Sequence, residues 1–374
     1  MNKTKKILFI SSSQHFVDIF LKDLIISLSE EFNVSLITNF ENELIYKKYI
    51  ETIHLPVKRK TSLLSDLLVS IIFIIKFFKL LPERLISVTP KSLIFGIIAK
   101  ILKPNVYRIH IYTGFTWTNM KGFRRNLFVL LDKINIFFSD KVLFDSQNQI
   151  DYLINKNFNS KKFHLISNGS IKGVDLNTFY KFNSSQKKLL YAKYRIPDNF
   201  MILLYMGRMD PDKGIYELIE SFKIVTKSLN NVFLVLVGKD EMEIANYLSK
   251  LDENIKNKIL YLDHVSKPEE IYNLSDVYCL PSKREGFGMA IIESCACQVP
   301  VIGSNIFGLR SSVINNYNGL LFKVDDVEDL ALKIKKLFKD RNLREFLGKN
   351  GREFVKKNFN NNEVLNSFKN LIIK

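Results

Sequence analysis

The densest chemistry in this chain lies in LPSKREGFGMAIIESCACQVPVIGSN, from Leu280 to Asn305. A strand pattern over Val277–Leu280 stops at Pro281-Ser282, a loop runs from Lys283 to Gly288, and a helical pattern starts near Met289. Gly286 and Gly288 permit close backbone approach and unusual φ. The first turn of the helix offers free N–H groups and the positive end of its dipole, a ready site for a diphosphate. Glu285 sits on the loop, where a sugar carried on that diphosphate would lie. Glu293 sits one turn into the helix, where its carboxylate can accept from two ribose hydroxyls. A loop Glu, a glycine turn and a helical Glu in that order are far more specific than a lone glycine motif.

An earlier segment, ILLYMGRMDPDKGIYELIESF, supplies the matching cations. A strand runs into Gly207-Arg208, and a short loop leads to Lys213-Gly214 at the opening of a helix. The planar fork of Arg208 and the point charge of Lys213 suit one diphosphate. Both lie at the C-terminal end of a strand, where open α/β sheets bind ligands. Either alone would read as a solvated surface cation. Asp210-Pro211-Asp212 has the Asp-x-Asp spacing that holds a divalent ion on a diphosphate elsewhere. Here it lies between two cations that already do that work, so no metal is expected.

These segments need a scaffold. The chain has 374 residues, 47% of them hydrophobic, which suits two domains of about 150–200 residues each. Strand patterns fall at Lys6–Ser11, Asn33–Thr38, Leu85–Val88, Val106–Ile111 and Lys141–Asp145, then at Met201–Met206, Val232–Val237, Ile259–Leu262, Val277–Leu280 and Val299–Gly303. Helical patterns, such as Val17–Glu30, lie between most of them. This alternation implies two parallel, doubly wound α/β sheets. The expected division is 1–180, 181–355, and a helical tail 356–374.

Three cysteines, Cys279, Cys295 and Cys297, make no disulfide framework and fit a reducing, cytoplasmic setting. The start MNKTKKILFISSS is basic, but its apolar run is too short for a signal core, so a first strand is expected. Net charge is +17. Residues 1–170 hold 24 Lys and Arg against 13 Asp and Glu, so the excess is concentrated there. No nucleic-acid motif accompanies it. An anionic membrane face, a phosphorylated acceptor, or a Lys-rich composition each accounts for it. The segment Leu63–Leu81, behind Lys58-Arg59-Lys60, approaches the length of a membrane span, but Asp66, Lys76 and Lys79 interrupt it. Two readings stay open: a core helix against the sheet, or a helix partly exposed to the bilayer interface. The basic loop Lys121, Arg124 and Arg125 suits an acceptor diphosphate, lipid headgroups or plain solvent, and Lys91 is similarly placed at a strand end. The five histidines are dispersed.

Gly-Arg-x4-Lys-Gly followed by Glu-Gly-Phe-Gly-x4-Glu resembles the retaining glycosyltransferases of family 4, which have the GT-B fold. IYNLSDVYCLPS, PVIGSN and YNGLLF support the resemblance. NGSIKGVDLNTF, HIYTGFTW and FDSQNQIDYL extend it to a subgroup acting in surface polysaccharide assembly. The resemblance implies two Rossmann-like domains facing across a cleft, with an N-terminal acceptor domain, a C-terminal nucleotide-sugar domain, and the tail crossing back to the first. It implies that Arg208 and Lys213 neutralise the donor diphosphate, backbone N–H groups of Phe287 and Gly288 hold phosphate beside Gly286, Glu293 binds the ribose and Glu285 contacts the transferred sugar. It further implies retention without a metal or other cofactor, a nucleotide sugar (a UDP-sugar) as donor, and a lipid-diphosphate-linked glycan at the inner membrane face as acceptor. Many relatives carry a His where this chain has Thr113, so Thr113, Gly114, His110 and His15 are the candidates for that contact. Ser311 replaces a common acidic residue, and Ser11–His15 replaces a glycine-rich turn. A sugar-nucleotide epimerase or phosphorylase of the same fold, or a non-catalytic subunit of an assembly complex, are the competing readings.

Overall fold

A computed structural model describes residues 5–40, 45–57 and 63–374 of the chain. The chain divides into two compact units, 1–172 with 362–374, and 173–361. The division falls at 172/173 instead of 180/181, because the extended stretch after Lys172 already belongs to the second unit. Val174 N–H donates to the Phe359 carbonyl there at 2.8 Å.

The first unit contains β1 (Lys6–Ser11), β2 (Asn33–Thr38), β3 (Glu51–His54), β4 (Arg84–Val88), β5 (Tyr107–Tyr112), β6 (Lys141–Phe144) and β7 (Phe163–Leu165). They form one parallel sheet in the order β3-β2-β1-β4-β5-β6-β7. Its helices are α1 (Gln14–Phe16), α2 (Lys22–Ser29), α3 (Leu63–Leu80), α4 (Ser92–Leu102), α5 (Gly122–Phe138) and α6 (Gln147–Ile154). The helix expected over Val17–Glu30 instead starts at Gln14, capped by Ser13 Oγ, and widens into a π turn over Val17–Leu21. Strands β3 and β7 escaped the sequence pattern because they are short edge strands with half-exposed residues and little alternation. Within β1, Ile7 and Phe9 point to one buried cluster while Leu8 and Ile10 point to another, so both faces are covered.

The second unit contains β8 (Met201–Met206), β9 (Val232–Val237), β10 (Ile259–Leu262), β11 (Val277–Leu280), β12 (Val301–Ser304) and β13 (Gly319–Phe322). Their order, β10-β9-β8-β11-β12-β13, is again all parallel. β12 starts two residues later than the sequence pattern put it, after Pro300, which has no N–H to give to a ladder. The helices are α7 (Ser184–Tyr194), α8 (Ile215–Thr226), α9 (Ile244–Ser249), α10 (Glu253–Lys256), α11 (Pro268–Leu274), α12 (Met289–Ala296), α13 (Val327–Lys339) and α14 (Arg341–Asn358). The last helix, α15 (Asn361–Ile373), buries Phe368 and Ile372 in the core of the first unit. The crossing-back segment therefore starts near 362, not 356, since α14 runs on to Asn358 against the second unit.

Candidate functional site

The strand order of the second unit reverses at β8, so the loops leaving β8 and its partner β11 open side by side at their C-terminal ends. Gly207-Arg208 follows the first of these strands and Pro281-Ser282 the second. The two separate sequence motifs meet here. Lys213 Nζ lies 2.5 Å from Glu285 Oε1, and Ser282 Oγ donates to the same oxygen at 2.8 Å. Both side chains are over four-fifths buried, at 18% and 16% exposure.

Local geometry explains the meeting. Asp210 caps a 3₁₀ turn over Pro211–Lys213, and Gly214 turns the chain at φ +67 into α8. Lys213 therefore sits in a tight turn two residues ahead of the helix expected to open with it. A Cβ on Gly214 would stand 2.2 Å from the Pro281 carbonyl oxygen, so only glycine lets the two loops pack. Gly288, at φ +84, precedes α12, and no side chain caps that helix start. The Phe287 side chain is buried, and its carbonyl accepts from Ser312 Oγ at 2.6 Å.

The remaining charges are held in order. Arg208, 44% exposed, faces Asp210 and Glu241 at 3.3 Å each. Asp212 accepts from Arg284 Nη2 at 2.7 Å. Both carboxylates of the Asp-x-Asp segment thus already face guanidinium groups. Glu293 accepts from Tyr272 OH at 2.9 Å. Beneath the loops, Tyr205 OH donates to the Arg208 carbonyl at 2.7 Å and Tyr278 OH to the Met206 carbonyl at 3.1 Å. Burial, reinforced by Glu285 for Tyr205 and by Glu293 for Tyr272, holds these phenols well above their ordinary pKa, so they stay neutral donors. Tyr205, Tyr272 and Tyr278 were missed in the sequence because a buried Tyr in an apolar run looks like core, and Ser282 and Glu241 because a single polar loop residue carries no pattern of its own. The spacing of Tyr272 ahead of the motif was the one available hint.

In the first unit the same reversal joins the ends of β1 and β4. Thr89 sits at φ +92, rare for a β-branched residue, and its Oγ1 lies 2.9 Å from Ser12 Oγ. Next to this turn, the ends of β4 and β5 and helices α3, α4 and α5 enclose a cavity of about 350 Å³. Lys91, His110, Thr113 and Gly114 all line it. His110 is only 2% exposed, with Nδ1 2.8 Å from Ser87 Oγ, and burial followed by the Arg108 charge keeps it neutral. Lys91 is paired with Asp66 at 3.0 Å. Arg108 is fully buried and ties α4 to α5 by donating to the Leu93 and Asn135 carbonyls.

The motifs HIYTGFTW and FDSQNQIDYL hold each other: Gly114 N–H donates to Gln149 Oε1 at 3.1 Å. Asp132 accepts from Tyr112 OH at 2.8 Å and Trp117 Nε1 at 2.6 Å. Lys121 and Arg124 are exposed, whereas Arg125 turns onto the Trp117 ring at 5.4 Å. His15 is exposed just beyond β1 and is not among the cavity residues. Lys58-Arg59-Lys60 lie outside the described residues.

A family model described as "Glycosyl transferases group 1" matches residues 186–354. The chain is 33% identical over 327 residues to the capsular polysaccharide biosynthesis glycosyltransferase CapM of Staphylococcus aureus, covering 86% of this chain and 85% of that protein. It is 29% identical over 270 residues to the N,N'-diacetylbacillosaminyl-diphospho-undecaprenol alpha-1,3-N-acetylgalactosaminyltransferase of Campylobacter jejuni, 71% of this chain and 70% of that protein. Among solved structures, Anabaena HepE in complex with UDP-glucose superimposes with a TM-score of 0.80 at 18% identity, over 99% of this chain and 100% of that one. Sucrose-phosphate synthase of Thermosynechococcus elongatus does so with a TM-score of 0.82 at 22% identity, over 98% of each chain. These two likenesses establish a shared fold.

Proposed function

Because this chain belongs to the group 1 glycosyl transferases, family 4 of the glycosyltransferases, we propose that it moves a sugar from a UDP-linked donor to a hydroxyl of a lipid-diphosphate-linked glycan, with retention at the anomeric carbon. The product would serve capsule, O-antigen or exopolysaccharide synthesis at the cytoplasmic face of the membrane. The relatives' names support this reading: one acts in capsular polysaccharide biosynthesis, and another on a diphospho-undecaprenol-linked sugar.

The observation that carries the proposal is the Lys213–Glu285 contact, at 2.5 Å, in the loops beside the uncapped start of α12. It puts a cation for the diphosphate and a carboxylate for the sugar in one place. On donor binding, Arg208 and Lys213 exchange carboxylate partners for diphosphate oxygens, the N–H groups of Phe287 and Gly288 add to them, and Glu293 takes the ribose. The rate gain comes from stabilising charge on the departing diphosphate, which then takes the proton of the attacking hydroxyl. No divalent ion is required, because the cations supply that charge. In the first unit, His110 and Thr113 line the cavity and are proposed to meet the acceptor.

Titration calorimetry against UDP and a panel of UDP-sugars tests the donor half. Arg208→Ala and Glu293→Ala should each weaken UDP binding by roughly 10-fold or more, the cost of a charge-assisted hydrogen bond. Mass spectrometry of lipid-linked products tests the acceptor half, and chelator should leave turnover unchanged. Conversion of a UDP-sugar without any acceptor would establish the epimerase reading in its place.

A further inference from the structure

Three helices of the first unit carry apolar residues on the side away from the sheet. On α3, Val69, Phe73, Phe77 and Leu80 are buried in the core, while Leu67, Ile71, Ile75 and Phe78 are exposed at 62%, 49%, 63% and 47%. On α5, Phe123, Leu127, Leu130 and Phe137 form an exposed stripe at helical spacing, with Phe123 at 82% and Phe137 at 74%. Helix α4 lies between these two and adds exposed Ile94 and Ile101. A helix apolar on both sides has a second apolar medium to face, and an apolar patch of this kind marks an interaction surface. No helix among the described residues is long and apolar enough to cross a membrane.

Charge selects the partner. Residues 63–138 contain 11 Lys and Arg against three Asp and Glu. Of those three acids, Asp132 is buried and Asp66 is paired with Lys91. The basic excess favours an anionic surface and opposes self-association of the same face, which would bring like charges together. The cavity of about 350 Å³ lies under these helices. Leu93, Phe95, Phe115, Phe128 and Leu131 wall it, and Ile94 both lines it and is exposed, so it opens on the apolar face.

We propose that the outer faces of α3, α4 and α5 dock on an anionic bilayer, and that the cavity among them receives the first apolar segment of the acceptor's lipid chain. The second clause rests on the lipid-linked acceptor proposed above. The Lys91 ammonium at the cavity wall is placed to meet the phosphate at the head of that chain.

Flotation of the full-length protein with vesicles tests the surface. Wild type should float with phosphatidylglycerol-containing vesicles about 10-fold better than with phosphatidylcholine alone, and added salt should weaken this. The pairs Ile71→Glu with Ile75→Glu, and Phe123→Glu with Leu130→Glu, should each lower flotation about 10-fold while UDP affinity by calorimetry stays unchanged. Equal flotation on neutral vesicles, or variants that float like wild type, would overturn the docking surface. So would variants that turn a dimer into a monomer without changing flotation.

The cavity is tested by the single tryptophan, Trp117, whose ring stacks on cavity-lining Phe115. Geranylgeranyl diphosphate should change its fluorescence at concentrations about 50-fold below those needed for inorganic diphosphate, since each buried methylene adds to affinity. Ser70→Phe, and independently Thr116→Phe, should abolish that difference. Equal response to both ligands, or no effect of filling the cavity, would overturn the lipid slot. Absence of UDP binding in the wild type would instead sink the glycosyltransferase reading and leave the vesicle result standing.

Discussion

Every cation proposed to hold the donor already has an acidic partner. Arg208 faces Asp210 and Glu241, and Lys213 faces Glu285. In the Arg208 pairs the guanidinium is 44% exposed and screened by solvent, and pairs screened in this way are worth ~1 kcal/mol or less, so a diphosphate displaces them cheaply. The Lys213–Glu285 pair is largely buried, and there the exchange matters more. Glu285→Gln should therefore keep or tighten UDP binding, because it frees Lys213, while transfer falls by roughly 100-fold through loss of the sugar contact. Calorimetry and initial rates on one preparation check both halves. Binding and turnover lost together would show that Glu285 only holds the loop. Burial keeps the thiols of Cys279, Cys295 and Cys297 protonated, which removes them from this chemistry.

Two turns set the geometry at the scale of elements. Gly214 joins the β8 loop to α8 against the Pro281 carbonyl. Gly214→Ala should cost about 2 kcal/mol or more, from the positive φ and a contact too short to relax. The expected result is a lower Tm together with loss of UDP binding. In the first unit, Asp132 joins β5, the HIYTGFTW loop and α5. Burial raises its pKa from 3.8 to about 6, against the opposing bonds from Trp117 and Tyr112. A carboxyl raised on folding stabilises fully below its unfolded pKa, and that contribution is lost as pH rises through the folded value. Stability from this group should therefore decline between about pH 4 and pH 6, by at most about 3 kcal/mol. Urea unfolding followed by Trp117 fluorescence at several pH values reads the slope. Asp132→Asn should flatten it, and a variant with the wild-type slope would refute the assignment.

At the scale of the whole molecule, the chain returns to its first unit. Phe368 and Ile372 of α15 fill that core, Arg84 and Lys141 donate to the Ile372 and Leu371 carbonyls at 2.5 and 2.8 Å, and Lys369 pairs with Glu31 at 2.8 Å. Arg84 and Lys141 sit at the carbonyl end of α15, where positive charge is favoured. Removing residues 362–374 forfeits about 1.5–3 kcal/mol for each buried side chain before the hydrogen bonds are counted. Hydrogen exchange should then show lost protection in β1, β2 and α2, with 173–361 little changed. Loss concentrated in the second unit would contradict this account.

Much of this was legible without coordinates. Apolar runs between helical patterns specified two parallel sheets, because strands covered on both faces must be apolar throughout. The residues proposed to hold the donor could be named because that chemistry needs particular types at particular loop positions. Three things were not. Lys213 meets Glu285 only because β8 pairs with β11, a contact between residues 72 apart in sequence. His110 was a candidate for the contact many relatives make through a His at the position of Thr113, but it ends as a buried neutral ring on β5 held to Ser87 Oγ, which the strand pattern alone could not show. The segment Leu63–Leu81 left core and interface readings both open. The structure bears out the core reading on one side of α3, where Val69, Phe73 and Phe77 pack on the sheet, and leaves the other side exposed. Composition and period are local properties that a sequence carries by itself. Which face is covered, and which distant charges meet, is decided only when the chain closes on itself.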